Sequence, residues 1–229
     1  MTRELRNRGF FCSENRVGRI MRLNGLRAHP KRPFRPRTTQ VNYAASPSPN
    51  LLSKERKAQA PGQEIVSDIT YIPTNEGWLY LGVVLDLYSR TLLGWSLSNS
   101  LHSQLVIDAL KRAFNSGLVA PNAIFHSDRG SQYSAISTRS LIHRAGLRQS
   151  MSAKGYCYDN AFAESFFASL KAELSINSNP FPSKEAARIA LFDYLESFYN
   201  RKRLHSALDF HSPYAFLNLH FKKIIYLIN

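Results

Sequence analysis

Runs of β-branched and aromatic residues open the main hydrophobic part of the chain. The string IVSDITYI is rich in such residues, TNEG has the composition of a turn, and WLYLGVVLDLYS is a long apolar run typical of a central strand. A third run, TLLGWSLS, follows directly. Residues 65–98 are therefore predicted to form a three-stranded meander.

Helical spacing follows this meander. Apolar residues stack at intervals of three and four over residues 103–116, and NAIFHSD then indicates a short buried strand. A helix over about 135–146, a strand near 147–151, a helix in AFAESFFASLKAEL and a last long helix over 183–200 are predicted next. This order of strands and helices indicates a mixed α/β domain.

The first 60 residues differ in composition from the rest of the chain, because they are rich in basic residues and proline. Ser13 is a good N-cap for a helix with an apolar stripe of Val17, Ile20 and Met21, which stops at Gly25. Its other side carries three arginines, namely Arg16, Arg19 and Arg22, and Arg27 beyond the stop adds a fourth. Such a helix resembles half of a helix-turn-helix, although short basic helices are common.

Proline density sets the predicted domain boundaries. Residues 1–28 form a basic helix-turn-helix-like segment, and 29–60 form a basic linker in which proline favours an extended path. The main domain spans 61–216, and residues 217–229 form a C-terminal tail.

Charge indicates the partner. The net charge is +14, and residues 1–60 contribute +11 of it, with 14 basic and 3 acidic residues. A basic arm on a nearly neutral domain favours nucleic acid over a merely solvated basic face. No signal peptide or apolar run of about 20 residues is visible, so we expect no membrane partner and a cytoplasmic, nucleoid-associated protein.

Three carboxylates stand where acids are unusual. Asp68 lies mid-strand, Asp128 ends the buried strand before a glycine turn, and Glu164 lies in the first turns of a helix among phenylalanines. Acids are rarely buried unless they are paired or bind a metal. Three converging carboxylates would repel one another unless a divalent cation neutralised them, and hard oxygen ligands suit Mg²⁺, with Mn²⁺ as the alternative. Two such cations about 3.5–4 Å apart can activate a water or a 3′-hydroxyl for attack on phosphorus.

Four ordered motifs surround these acids. They are VSDITYIPTNEGWLYLGVVLDLYSRTLLGWSLS, HSDRGSQY, SMSAKGYCYDNAFAESFFASLKAEL and YNRKRLHSALDFHSP, and 35 residues separate Asp128 from Glu164. Together they resemble the OrfB-type transposases of the insertion sequence 3 family, which belong to the DDE integrases and transposases. The resemblance covers about residues 61–214, and VGRIMRLNGLRA resembles the N-terminal helix of that family.

This resemblance carries further expectations. It implies a ribonuclease-H-like integrase core with a mixed five-stranded sheet and flanking helices, plus a small basic N-terminal helical segment. It implies Mg²⁺-dependent cleavage and transfer of DNA strands at element ends and into target DNA, with Asp68, Asp128 and Glu164 as catalytic metal ligands. It also implies an oligomer on DNA and an upstream-frame partner that carries a helix-turn-helix and a leucine zipper.

Two other interpretations stay open. A structure-specific nuclease could share the fold, although the basic arm argues against it. A catalytically silent, DNA-binding remnant or regulator fits the ends of the chain, because the N-terminal helical part is short and FKKIIYLIN matches nothing expected. Those ends are compatible with a truncated or frameshifted copy.

Residues beside the acids have two interpretations each. His126 points to the same side as Asp128 and either bonds that carboxylate or packs as a strand histidine. Asp86 is either a group supporting the metal or a turn-forming acid, with the turn favoured. Trp78, Trp95 and Tyr80 are expected in the core rather than as platforms for bases.

Basic side chains near the motifs are candidate DNA contacts. Lys171 lies two helical turns after Glu164 on the same face, where it could reach a phosphate. The other candidates are Lys154, Arg129, Arg203 and His205, together with the three arginines of the N-terminal helix. A solvated helix surface explains most of them equally well.

Overall fold

The structure is a computed structural model, and it describes residues 1–26, 47–52, 58–152, 161–176 and 179–228. The chain divides into two compact units, residues 1–32 and 33–229. Most of the predicted linker, together with Lys154, lies outside the described residues.

The N-terminal unit contains two short helices, α1 (Thr2–Asn7) and α2 (Glu14–Leu23). The Ser13 hydroxyl accepts the Arg16 backbone N–H, which confirms the predicted N-cap. The apolar stripe is only partly covered, because Val17 is buried while Ile20 is 44% exposed. The three arginines of α2 are exposed to solvent.

The second unit is built on a five-stranded sheet in the order β3-β2-β1-β4-β5. Its strands are β1 (Glu64–Thr74), β2 (Gly77–Asp86), β3 (Leu92–Ser98), β4 (Ile124–Ser127) and β5 (Arg148–Met151). The first three form the predicted antiparallel meander, while β4 runs parallel to β1 and β5 runs parallel to β4. The predicted mixed α/β sheet is thus confirmed.

Helices connect and cover these strands. They are α3 (Ser103–Asn115), α4 (Ser131–Ser134), α5 (Ile136–Arg144), α6 (Ala161–Glu173), α7 (Lys184–Phe192) and α8 (Pro213–Ile228). A π-helical stretch, Asp193–Tyr199, continues α7, and a 3-10 turn spans Ser206–Leu208. The boundary predicted at residue 216 falls inside α8, whose His220 contacts the Tyr88 hydroxyl, so this helix packs on the main unit. Among the described helices, none has the length and apolar character needed to cross a membrane.

Alternation along β1 separates two hydrophobic cores. Val66 and Ile72 pack in one core with α6 and α7, whereas Ile65 packs in the other with α3 and α5. Because successive strand residues point to opposite faces, Asp68 lies on the α6 face with Val66.

Helix α3 packs closely on the meander because two strand residues beneath it lack side chains. A Cβ on Gly94 would lie against the Ala109 carbonyl oxygen and 2.5 Å from the Ala113 nitrogen. A Cβ on Gly82 would meet Leu105 at 3.2 Å. These glycines therefore set the distance between α3 and the sheet.

We expect Gly94→Ala to lower the free energy of unfolding by about 1–3 kcal/mol or more, because the new methyl group meets helix backbone that cannot rotate away. Urea denaturation measures the effect. Gly18→Ala on α2, where a Cβ meets nothing within 4 Å, is the matched control and should be neutral or stabilising by about 0.5–1 kcal/mol. Equal unfolding midpoints for Gly94→Ala and the parent would contradict this packing argument.

Candidate active site

Two of the three predicted acids lie side by side on neighbouring strands. In the parallel ladder of β1 and β4, Val66 stands opposite His126. Asp68 and Asp128 are each two residues further along, on the same face as that pair. Neighbouring strands are about 4.8 Å apart, so both carboxylates project from adjacent positions at the carboxyl end of β4.

A buried tyrosine lies between these acids and the α3 face. Tyr133 is 1% exposed, and its hydroxyl lies 3.1 Å from the Ser67 hydroxyl. Burial raises the pKa of Tyr133 well above its ordinary value, and the charges of Asp68 and Asp128 raise it further. Both carboxylates therefore act on one phenol, which remains neutral and can serve as a hydrogen-bond donor.

The turn after β4 fixes the second acid. The Gly130 N–H donates to Asp128 Oδ1 at 2.9 Å, and a Cβ on Gly130 would approach the same oxygen to 2.9 Å. Asp68 Oδ1 likewise accepts the Ile69 N–H at 2.7 Å. A small cleft of about 20 Å³ opens between the two acids, Tyr71 and Gln132.

Lys171 lies on the α6 side of this cleft. It is 8% exposed, and burial lowers the pKa of Lys171 to about 8, against which the charge of Asp68 acts. Lys171 is therefore not a solvated lysine on the helix surface. The expectation of a surface contact with phosphate is corrected to a buried cation beside a carboxylate.

The structure does not bring the third acid into this group. Glu164 is exposed in the first turn of α6, as predicted for its helix position. Within the described ranges, no group of three or more His, Cys, Asp or Glu side chains lies close enough to hold a metal ion. The helix itself packs against β1 through the α6-face core.

Arg90 fixes the start of that helix, and the sequence analysis did not find it. Its guanidinium lies 3.8 Å above the Phe162 ring, two residues before Glu164. Arg90 has a φ of 61°, which is unusual for a residue with a side chain. The sequence analysis also missed Tyr133 as a residue of the site. Its position in a short helix, five residues after Asp128, could have indicated that it lies near that acid.

His126 is a packed strand histidine. It is fully buried, and its two ring nitrogens lie 2.8 Å and 3.1 Å from the hydroxyls of Ser150 and Ser152. The ring is thus held from the β5 side, as the interpretation of a packed strand histidine predicts.

Asp86 requires a correction, because it supports a turn rather than a metal. It lies opposite Ile65, and so on the α3 face, away from Asp68. One carboxylate oxygen accepts the Gly62 N–H, and the other accepts both the N–H and the hydroxyl of Ser89. The alternative of a turn-forming acid is therefore the correct one.

Arg203 and His205 also require a correction. Arg203 is 18% exposed and pairs with Glu173 at 2.9 Å; burial alone would lower its pKa, but Glu173 raises it. Burial, together with the charges of Arg203 and Arg90, lowers the pKa of His205 to about 4. One predicted phosphate ligand is thus committed to an internal ion pair, and the other is neutral at pH 7.

The remaining candidate contacts differ in exposure. Arg129 is half-buried, and its Nε donates to the Ser152 carbonyl. Trp95 is buried as expected, whereas Trp78 is 48% exposed, so its assignment to the core was wrong. The three arginines of α2 remain available to solvent.

Three family matches cover most of the chain. Two families described as integrase core domain match residues 58–157 and 145–213, and a family described as HTH-like domain matches residues 1–34. A solved simian T-cell lymphotropic virus intasome, in complex with PP2A regulatory subunit B56 gamma, has a similar fold. Its TM-score is 0.58 at 14% identity, over 77% of this chain and 60% of that one. The magnesium complex of the HTLV-2 integrase catalytic core in its trimeric form gives a TM-score of 0.52 at 16% identity, over 69% and 97%. The fold is that of an integrase catalytic core with ribonuclease-H-like architecture.

Relatives in bacteria narrow the class to a family. The chain is 45% identical over 221 residues to the transposase InsF for insertion sequence IS3A of Escherichia coli (strain K12), covering 95% of this chain and 75% of that protein. It is 41% identical over 216 residues to the transposase for insertion sequence element IS904 of Lactococcus lactis subsp. lactis (strain IL1403), covering 94% and 85%. The chain belongs to the IS3 family of insertion-sequence transposases, and it is therefore a polynucleotidyl transferase that acts on DNA.

We expect Asp86→Ala to lower the free energy of unfolding by about 1–3 kcal/mol, because it leaves buried donors of Gly62 and Ser89 without an acceptor. Asp108→Ala is the control, since that carboxylate bonds Gln104 on the exposed side of α3; it should change stability by less than about 0.5 kcal/mol. Thermal and urea unfolding both measure this, and a silent Asp86→Ala would refute the turn assignment.

His205 predicts a loss of stability in acid. Its folded pKa of about 4 lies below the ordinary 6.5, so the unfolded chain takes up a proton first as pH falls. The contribution of the neutral His205 ring to the free energy of unfolding is fully present above about pH 6.5 and is lost as pH falls toward about 4. His205→Gln should lose less stability than the parent between about pH 7 and about pH 5.

Urea midpoints at those two pH values measure the difference. His143→Gln, at an exposed position on α5, is the matched control and should keep the decline of the parent. An unchanged pH response in His205→Gln would refute the burial of a neutral ring.

Proposed function

We propose that this transposase cuts and joins DNA at the ends of its insertion sequence, with Asp68, Asp128 and Glu164 as the carboxylate ligands of divalent cations. The observation that carries the proposal is the adjacent pair Asp68 and Asp128 on neighbouring parallel strands. Like charges in one cleft repel each other unless a cation offsets them, whereas the oxygens of Asp86 hold a turn.

Magnesium suits this pair, with manganese as the alternative. The donors are hard carboxylate oxygens at the edge of a narrow cleft, and their negative charge adds to the burial that raises the pKa of Tyr133. The similar HTLV-2 integrase core was solved in complex with magnesium. A bound cation would supply Lewis-acid activation of the attacking and leaving oxygens at phosphorus.

Glu164 is the proposed third ligand. It is carried by α6, whose buried side packs on the α6 face of β1, the face of Asp68. The interval of 35 residues from Asp128 supports the same assignment. Its exposure leaves the carboxylate free to turn toward a cation that the two aspartates hold, and Arg90 anchors the start of its helix through Phe162.

The other side chains of the site hold the acids in place. Lys171 offsets the charge of Asp68 from the α6 side, and the Gly130 N–H orients Asp128. Tyr133 can donate its hydroxyl proton to a nearby oxygen, since its pKa keeps it protonated. Arg129 borders Asp128 in the sequence and is a candidate contact for the DNA backbone, as is Lys154.

Attraction to DNA is assigned to the N-terminal part. Residues 1–28 are the proposed DNA-binding segment, with Arg16, Arg19 and Arg22 exposed on one helix, and residues 29–60 are the basic linker. Recognition of the element ends involves an upstream-frame partner with a helix-turn-helix and a leucine zipper, and synapsis of two ends requires an oligomer. The protein is expected to act in the bacterial cytoplasm, at the nucleoid.

The test is strand cleavage on labelled element ends with the partner and Mg²⁺ or Mn²⁺ present. Asp68→Asn, Asp128→Asn and Glu164→Gln should each lower cleavage and strand transfer by at least about a hundredfold. DNA binding should change little, because each amide side chain keeps the size and shape of the acid that it replaces.

Asp108→Asn on α3 is the matched control and should cleave normally. Cleavage that persists in Asp128→Asn would refute the site, and persistence in Glu164→Gln alone would remove the third ligand. Binding without cleavage by the unaltered chain would instead support the silent regulator.

A further inference from the structure

Three aromatic rings form a cluster at the far end of the β1–β2 hairpin, and we call Tyr71, Trp78 and Tyr80 the hairpin aromatic cluster. Tyr71 pairs directly with Tyr80 across the strands, so their side chains share one face. The ring of Tyr71 meets that of Trp78 at 5.9 Å and 88°, and that of Tyr80 at 5.0 Å and 66°. In an edge-to-face contact the edge of one ring meets the face of the other.

The cluster is uncovered because the first residues of α3 do not reach over it. The Ser96 hydroxyl donates to the Leu105 carbonyl near the start of α3, which begins at Ser103. Tyr80 pairs with Ser98, two residues further along β3 than Ser96. The strands therefore run past the helix, and Trp78 stands 48% exposed beyond it.

The same cluster continues the wall of the acidic cleft. Tyr71 lines that cleft together with Asp68 and Asp128. Tyr71 lies three positions after Asp68 on β1, with two residues between them, so the two side chains start from opposite faces of the strand, about 10 Å apart along it. That length corresponds to about three stacked nucleotides of one DNA strand.

The composition of the surface favours a base over a protein partner. Trp78 is 48% exposed at this end of the hairpin. The cluster carries two phenol groups and an indole N–H, which can bond the polar edges of a base. Aromatic rings stack on any base because each base has a π-face.

We propose that the hairpin aromatic cluster holds an unpaired nucleobase of the DNA strand beside the phosphodiester that is cut. The inference rests on the proposed function, since it takes the acidic cleft as the place of cleavage. A base stacked there leaves the duplex, and its phosphate is directed toward Asp68 and Asp128.

The test uses the full chain with its partner and a duplex of the terminal repeat that carries 2-aminopurine at successive positions beside the cleavage point. Ca²⁺ replaces Mg²⁺ to hold the DNA uncut. Stacking quenches the fluorescence of an unpaired 2-aminopurine, so one position should become bright in Trp78→Ala and stay quenched in the unaltered protein and in Trp78→Phe.

Affinity for the duplex should fall by about tenfold in Trp78→Ala, the size expected for one lost stack. Phe192→Ala removes an equally exposed ring from α7 and is the matched control, with no change expected. Identical fluorescence in Trp78→Ala and the unaltered protein at every position would refute the proposal that the hairpin aromatic cluster holds a base.

The two proposals fail separately. Asp128→Asn should keep the quenched position, because stacking does not need the acids. If Asp128→Asn still cleaves while fluorescence quenching depends on Trp78, the proposed metal site is wrong and the proposed base contact stands. If cleavage is normal but no quenching depends on Trp78, only the proposed base contact is refuted.

Discussion

The parallel pairing of β1 with β4 is the interaction on which this site depends. It sets Asp68 beside Asp128, because Val66 lies opposite His126 two residues earlier. A slip of one residue would turn one carboxylate to the opposite face of the sheet. Strand β4 has only four residues, so its register relies on buried contacts, among them the His126 ring held between hydroxyls of the β5 side.

Adjacent like charges destabilise a fold unless something offsets them. Here Lys171 supplies a buried positive charge on the α6 side. Tyr133, on the α3 side, stays a neutral donor because burial raises its pKa and because ionising it would add a third negative charge. The acids are therefore compensated from within the protein on one side, while the cleft toward Tyr71 is lined by no Lys or Arg among the described residues.

Features with a local signal could be predicted from the sequence, and features set by tertiary packing could not. The meander, the Ser13 cap and the strand and helix positions of the three acids follow from composition and periodicity, and the structure has them. Lys171 and Arg203 look like surface cations in the sequence, yet Lys171 is buried beside Asp68 and the partly buried Arg203 pairs with Glu173. Trp78 was expected in the core because it is apolar, and it is exposed because α3 begins too late to cover it.

Attraction to DNA and chemistry on DNA reside in different parts of this chain. Residues 1–60 carry +11 of the +14 net charge, so counterion release on binding comes mainly from them. Residues 61–229 have a net charge of only +3, and two of their cations, the buried Lys171 and the partly buried Arg203, lie against acids of the same chain. Near the cleft, that part of the chain offers DNA aromatic surface and carboxylate oxygen, with Arg129 as a candidate phosphate contact. Stacking depends far less on salt concentration than phosphate contacts do. Rising salt should therefore weaken DNA binding by residues 1–60 well before it weakens the contact between a base and Trp78.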